Sequence, residues 1–280
     1  EGHYSLSLGV MMRAAIGAVR RAGMSTSAAR RRFEHKVAIV TGAGRDIGAA
    51  TATRLADEGA AVVLHYHESA AGAETLAHEI VGKGGRAVTV KADLSTEAGA
   101  RDVANAAATL GPEVHALVHN SGGLVERRML QDMDAEFVRK VFDLNFMSFF
   151  HLVQQVAPRM PAGSAIVSLS SQAARDGGGP GAGAYAASKG AVHTYTRSLA
   201  KELGAQGVRV NTVSPGMIST GFHDKFTNPE VRAKVAASAV LKREGGAPEV
   251  ASTIAFLLSD DASYVTGVAV DINGGLAFSG

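Results

Sequence analysis

The chain has 280 residues, 46% of them hydrophobic and 19% charged, enough for one large domain with a substantial core. It contains no cysteine, which excludes disulfides, a thiolate nucleophile and a Cys-ligated metal. The net charge of +2 is uneven: residues 1–32 carry six arginines against Glu1 alone, so the remaining body is slightly acidic and argues against nucleic acid as a partner.

The basic head, "MMRAAIGAVRRAGMSTSAARRRF", is rich in Arg, Ala and Ser. It fits either an organelle transit peptide or a disordered leader with Met24 as the natural start. The protein is accordingly expected in the cytoplasm, or in an organelle matrix if residues 1–33 are a transit segment. No apolar run reaches 18 residues, so no membrane partner is expected.

From residue 34 onward β-rich runs alternate with helical patterns. The runs are 37–41, 61–66, 87–93, 116–122, 165–170, 208–214 and 268–274. Helical periodicity covers 47–58, 70–82, 97–108, 132–158, 185–203 and 247–258. Continuous apolar strands separated by helices predict a parallel sheet covered on both faces, hence a single doubly wound α/β domain of about seven strands. The glycine cluster "GGGPGAG" (177–183) reads as a mobile loop. In such sheets ligands bind beyond the carboxyl ends of the strands, which is where the unusual polar residues of this chain gather.

The first strand runs into "TGAGRDIG" (41–48), a strand, glycine turn and helix start of the kind that cradles a pyrophosphate. Asp46 stands where another glycine would be expected. Asp tolerates the left-handed region better than most residues, and here it could also cap the helix that follows. The second strand ends "VVLHYHES", with Tyr66 where a carboxylate would repel a ribose 2′-phosphate, although Glu68 follows shortly after. Arg45 in the glycine turn is placed to pair with such a phosphate. NADP(H) is therefore favoured, with NAD(H) possible.

Further motifs are "HNSGG" (119–123), "LN" (144–145), "SLSS" (168–171), "YAASK" (185–189), "NTVSPGMIST" (211–220) and "YVTGVAVDINGG" (264–275). In this order they resemble the short-chain dehydrogenase/reductase family, from about residue 34 to the C-terminus, with 3-oxoacyl-acyl-carrier-protein reductases and their relatives the most similar. The resemblance implies a Rossmann-type fold and a hydride-transferring oxidoreductase acting on a ketone or secondary alcohol. It also implies a homo-oligomer, commonly a tetramer. Cofactor contacts are implied for Gly42, Gly44, Arg45, Asp46, Ile47 and Gly48, for Tyr66 and His67, and for Asp93 and Leu94. Asn120, Ser121, Gly122, Pro215, Gly216, Ile218 and Thr220 complete that set, together with Tyr185 and Lys189.

Tyr185 and Lys189 are four residues apart and share a helix face. A free tyrosine has a pKa of about 10, and a neighbouring ammonium favours its phenolate. The family pattern makes Tyr185 the acid–base residue and Lys189 its partner and ribose contact. It assigns Ser171 to the substrate oxygen, with Ser170 as the alternative, and Asn145 to a relay water. His119, where the family usually has Asn, and His223 read as structural. Residues 217–240, with Phe222 and Phe226, are expected to form a lid. A carrier-protein reductase should present basic residues, here Arg127, Arg128 and Lys201, yet "APRMPAGSA" before the fifth strand is thin in them. A sugar or polyol dehydrogenase, and a non-enzymatic NADP(H) sensor, stay open as alternatives.

Overall fold

The computed structural model describes residues 31–278. The expected leader or transit segment lies largely outside the described residues, but its last two positions do not belong to it. Phe33 is fully buried in the core, and Arg32 donates to the Glu58 carboxylate at 2.5 and 2.8 Å. The body therefore begins by Arg32.

In chain order the strands are β1 (Val37–Val40), β2 (Ala61–Tyr66), β3 (Arg86–Lys91), β4 (Ala116–His119), β5 (Ala165–Leu169), β6 (Arg209–Pro215), β7 (Ile218–Ser219), β8 (Gly245–Gly246) and β9 (Ala269–Ile272). The helices are α1 (Asp46–Asp57), α2 (Ala70–Gly82), α3 (Glu97–Ala108), α4 (Ala135–Phe142), α5 (Ser148–Val156), α6 (Ala173–Asp176), α7 (Gly183–Gly204), α8 (Gly221–Phe226), α9 (Pro229–Ser238) and α10 (Ala247–Leu258). Seven parallel strands form one sheet in the order β3-β2-β1-β4-β5-β6-β9. This is the doubly wound fold expected from the strand patterns.

Alternation along β1 shows why its sequence is apolar throughout. Ala38 and Val40 enter one core layer with Leu55 of α1 and Ile254 of α10. Val37 and Ile39 enter the other with Val103 of α3 and Phe149 of α5. With helices on both faces, neither parity can be polar. The strand order reverses between β1 and β4, and the crevice at that switch is where such sheets bind ligands.

The helix expected over 132–158 is interrupted. Between α4 and α5 the chain makes one π-helical turn, Asp143–Met147, which holds Asn145 in the interior. Such turns recur at functional sites because the extra residue redirects a side chain without ending the helix. The glycine cluster 177–183 is docked and not free: Arg128 N–H donates to Gly181 O at 3.1 Å, and Arg127 Nη1 to Pro180 O at 2.9 Å. No helix among the described residues is long and apolar enough to cross a membrane.

Glu58, at the end of α1, ties the start of the body to the fold. Its carboxylate is buried and receives Arg32 and Arg54. Burial alone would raise its pKa, but hydrogen bonds from the two arginines outweigh that and hold it below the ordinary value of 4.5. A depressed carboxylate adds stability above its unfolded pKa and loses it as pH falls through the folded value. Urea unfolding at pH 7 and pH 3 should therefore show a loss in wild type that is smaller in Glu58→Gln.

Candidate active site

The glycine turn 41–48 leaves β1 beside the turn after β4, and polar side chains join the two. Thr41 Oγ1 accepts the backbone N–H of Asn120 and of Ser121, each at 2.9 Å. Asn120 Nδ2 donates back to Thr41 O at 2.9 Å and Gly42 O at 3.2 Å. Close approach requires the glycines. A Cβ on Gly48 would lie 2.0 Å from Gly42 O, and one on Gly42 would lie 2.9 Å from Asn120 Nδ2. Gly44 is enclosed from the other side, its hypothetical Cβ 2.5 Å from Ser69 O at the start of α2.

His65 also pins this turn, a role the sequence reading did not find. Its Nδ1 accepts Gly42 N–H at 3.3 Å while Nε2 faces Ala92 O at 3.1 Å. Both bonds form only with neutral imidazole carrying its proton on Nε2, and burial pushes its pKa down to about 4. The signal was present, since a histidine inside an otherwise apolar strand needs partners, but they lie on the glycine turn and after β3.

Asp46 has φ 53°, the left-handed conformation expected of it. It does not cap α1, whose N-cap is Arg45 without a side-chain bond. Its Oδ1 instead accepts Gly221 N–H at 3.3 Å, because the left-handed backbone turns the carboxylate away from its own helix and toward α8. Arg45 is 67% exposed at the cleft mouth, its Nε 4.0 Å from Asp46 Oδ2.

Gly42, Gly44, Arg45, Asp46, Ile47, Tyr66, His67, Asp93, Asn120, Ser121 and Gly122 line one cleft of about 870 Å³. Ser171, Tyr185, Lys189, Pro215, Gly216, Ile218 and Thr220 line the same cleft. Hydrogen bonds from Ser95 hold the Asp93 carboxyl below its ordinary value. Gly48 lies beneath the turn. The Leu94 side chain packs in the core with Ala100 and Val103. An apolar side chain between Asp93 and Ser95 is drawn inward while the two polar ones remain at the surface.

At the inner end, Ser171 lines the cleft with Tyr185 and its Oγ accepts Ala173 N–H at 3.2 Å, whereas Ser170 donates to the Lys189 backbone carbonyl at 3.0 Å and is buried. Both serines line the cleft. Lys189 Nζ donates to Leu169 O at 2.7 Å and lies 5.9 Å from the centre of the Tyr185 ring. Burial lowers the Lys189 pKa to about 8. Burial also raises the Tyr185 phenol, against a lowering by Ser171. The expected lowering by Lys189 is not what governs Tyr185 here, because the ammonium is turned toward Leu169 O.

Asn145 stands behind this group. It accepts Gly123 N–H and donates to Gly123 O and Val141 O, all at 2.9 Å. A Cβ on Gly122 would fall 2.5 Å from Asn145 Oδ1 and 2.9 Å from Lys189 Nζ, so the bare backbone there lets both side chains approach one point. His119 is buried with Nε2 2.9 Å from Ser148 Oγ, and His223 meets Thr227 Oγ1 at 2.9 Å. Phe222 on α8, in the segment expected to form a lid, lies 5.8 Å from the Tyr185 ring and 5.2 Å from Phe226.

A doubly wound sheet with a glycine cradle at its switch point and an acid–base group deeper in the same cleft defines a dinucleotide-dependent oxidoreductase. Comparison with known proteins agrees. A family model described as enoyl-(acyl carrier protein) reductase matches residues 42–277. An uncharacterized oxidoreductase of Methylorubrum extorquens is 37% identical over 247 residues, covering 88% of this chain and 99% of that protein. An NADPH-dependent aldehyde reductase-like chloroplastic protein of Arabidopsis thaliana is 37% identical, covering 86% and 93%. A 3-oxoacyl-[acyl-carrier-protein] reductase of Staphylococcus epidermidis is 32% identical, covering 86% and 99%. Among solved structures, a short chain dehydrogenase from Burkholderia cenocepacia in complex with NADP superposes with a TM-score of 0.83 at 30% identity, covering 88% of this chain and 99% of that one. An NADH-dependent reductase responsible for alginate metabolism gives 0.81 at 32%, covering 89% and 100%. The chain belongs to the short-chain dehydrogenase/reductase family of NAD(P)-dependent oxidoreductases.

Proposed function

We propose that this protein transfers a hydride between NADP(H) and a small, untethered ketone or aldehyde and its alcohol. The observation that carries the reading is the meeting of Ser171, Tyr185 and Lys189 at the inner end of the cleft whose outer end is the glycine cradle. The cradle fits a dinucleotide because its glycines leave backbone bare where a Cβ would collide. When bound, the nicotinamide supplies or accepts the hydride at C4.

The residues of the chain do the rest. Ser171 orients the substrate oxygen and stabilises its developing charge. Tyr185, kept in its phenol form by burial, gives its proton to that oxygen as the carbonyl carbon receives the hydride. Lys189, brought by burial to about 8, exchanges protons near neutrality and restores the phenol. Asn145 holds the Gly122–Gly123 backbone that keeps Lys189 in place, with a relay water completing the path. Tyr66, His67 and the exposed Arg45, which line the same cleft, favour NADP(H) over NAD(H).

Two observations favour an untethered substrate over a carrier-bound one. Arg127 donates to Phe226 O and Pro180 O, and Arg128 pairs with Glu126 and Asp134 while stacking 4.3 Å over Phe137. Arg128 is neutralised by two carboxylates, and the exposed Arg127 guanidinium is already engaged by backbone carbonyls. The aromatic wall of Phe222 and Phe226 suits an apolar substrate body better than a sugar.

The test is NADPH or NADH oxidation with apolar aldehydes and ketones, an acetoacetyl thioester and free sugars. Turnover should prefer NADPH and the apolar carbonyls. Sugar oxidation as the main activity would overturn the substrate reading, and binding of NADPH without turnover on any compound would favour a sensor.

The Lys189 value sets a pH dependence. Loss of the ammonium proton removes the supply for reduction, so the reduction rate should fall as pH rises through about 8. Lys189→Arg cannot release its proton in this range, so its reduction rate should be low at every pH and show no such fall.

A further inference from the structure

We propose that Asp46 is a positioning residue that fastens the lid helix to the glycine turn, so that dinucleotide binding and closure over Tyr185 are coupled. The inference rests on assigning the cradle to a dinucleotide.

The contacts form a short chain through the molecule. Asp46 Oδ1 accepts the N–H of Gly221, the first residue of α8. That N–H is one of the donors a helix start leaves without an intrahelical partner. Thr220, at the N-cap position, turns its hydroxyl back to Ile218 O at 3.1 Å and makes no cap bond. Asp46 therefore satisfies from the phosphate turn what the lid cannot satisfy for itself.

Gly221 permits the approach. A Cβ there would lie 3.2 Å from Arg45 Nη1 and 3.5 Å from Asp46 Oδ2. The next residue, Phe222, is the one that lies over Tyr185. One hydrogen bond thus links the dinucleotide turn to the side chain closing the reaction chamber. Glycine at position 46 would accept the positive φ more easily but has no side chain to reach across. The strain of a non-glycine residue at φ 53° is retained where it makes this contact.

The test compares Asp46→Gly and Asp46→Asn in the full chain, with tryptic cleavage after Lys225 in α8 followed by mass spectrometry, with and without NADPH. Asn keeps an acceptor at the same atom and tolerates the same backbone. In Asp46→Gly, cleavage after Lys225 and NADPH dissociation should both rise about tenfold, the worth of one modest charge-assisted hydrogen bond. The carbonyl KM should rise more than kcat falls. Asp46→Asn should bring lid cleavage back to within about twofold of wild type. Lid protection unchanged in Asp46→Gly would overturn the proposal. Protection lost equally in both variants, with lowered melting temperatures, would mean that Asp46 merely supports α1 and would overturn it too. The cleavage readout needs no turnover, so an error in the assigned reaction would show separately as absent activity with an intact lid response.

Discussion

Tyr185→Phe is expected to lower kcat for carbonyl reduction by about 10²–10⁴-fold, the range over which a positioned general acid contributes. The variant removes one hydroxyl and keeps the ring that packs 5.8 Å from Phe222, so the lid and the cleft should retain their form. The loss should appear in kcat and kcat/KM together, as when an interaction made only in the transition state is removed. Steady-state kinetics over a range of carbonyl concentrations, with NADPH saturating, make the measurement. A loss confined to KM would mean that Tyr185 binds substrate without moving its proton.

Gly48→Ala should weaken NADPH binding by about 10²-fold or more. The added methyl would lie 2.0 Å from Gly42 O and 2.7 Å from Asn120 Nδ2, so the turn must move. A shift on the order of 1 Å in a site that fixes reacting groups costs about 10²-fold. Overpacking should also lower stability by about 1–3 kcal/mol. Gly82→Ala is the control. Gly82 ends α2 with nothing within 4 Å of its hypothetical Cβ, so the change should add about 0.5–1 kcal/mol and leave binding alone. Fluorescence titration with NADPH and urea unfolding of both variants separate the effects.

These two glycines illustrate what the sequence disclosed. All seven strands of the main sheet lie within the runs read from β-rich composition or one residue beyond them, and α2, α3 and α10 match their periodicity to the residue. Local pattern determines these elements, because both faces of the sheet are covered and its central strands must be apolar. The glycine turn was legible for the same reason, since its chemistry is local. What the sequence hid depends on partners distant along the chain. The π-helical turn at Asn145 answers to Gly123, and the His65 tautomer to Gly42 and Ala92. Asp46 bonds a residue 175 positions away. The paired strands β7 and β8 have two residues each, too few to show a period.

Electrostatics were the least legible part. The spacing of Tyr185 and Lys189 fixes which helix face they share but not where the ammonium points. In the fold it donates to Leu169 O, and burial becomes the leading influence on both groups. The two arginines expected to face a carrier protein are likewise engaged by their own chain, Arg127 by carbonyls and Arg128 by carboxylates and an aromatic ring.

The central claim is that hydride passes from a dinucleotide in the glycine cradle to a carbonyl carbon held beside Tyr185. The most direct measurement is mass spectrometry of the alcohol formed from an apolar aldehyde with NADPH deuterated at C4, on one ring face and then on the other. The account predicts one deuterium on the carbinol carbon from a single ring face, and no labelled alcohol from Tyr185→Phe above the residual rate. Alcohol formed without deuterium from either face would contradict it, as would NADPH that binds yet yields no alcohol from any carbonyl offered.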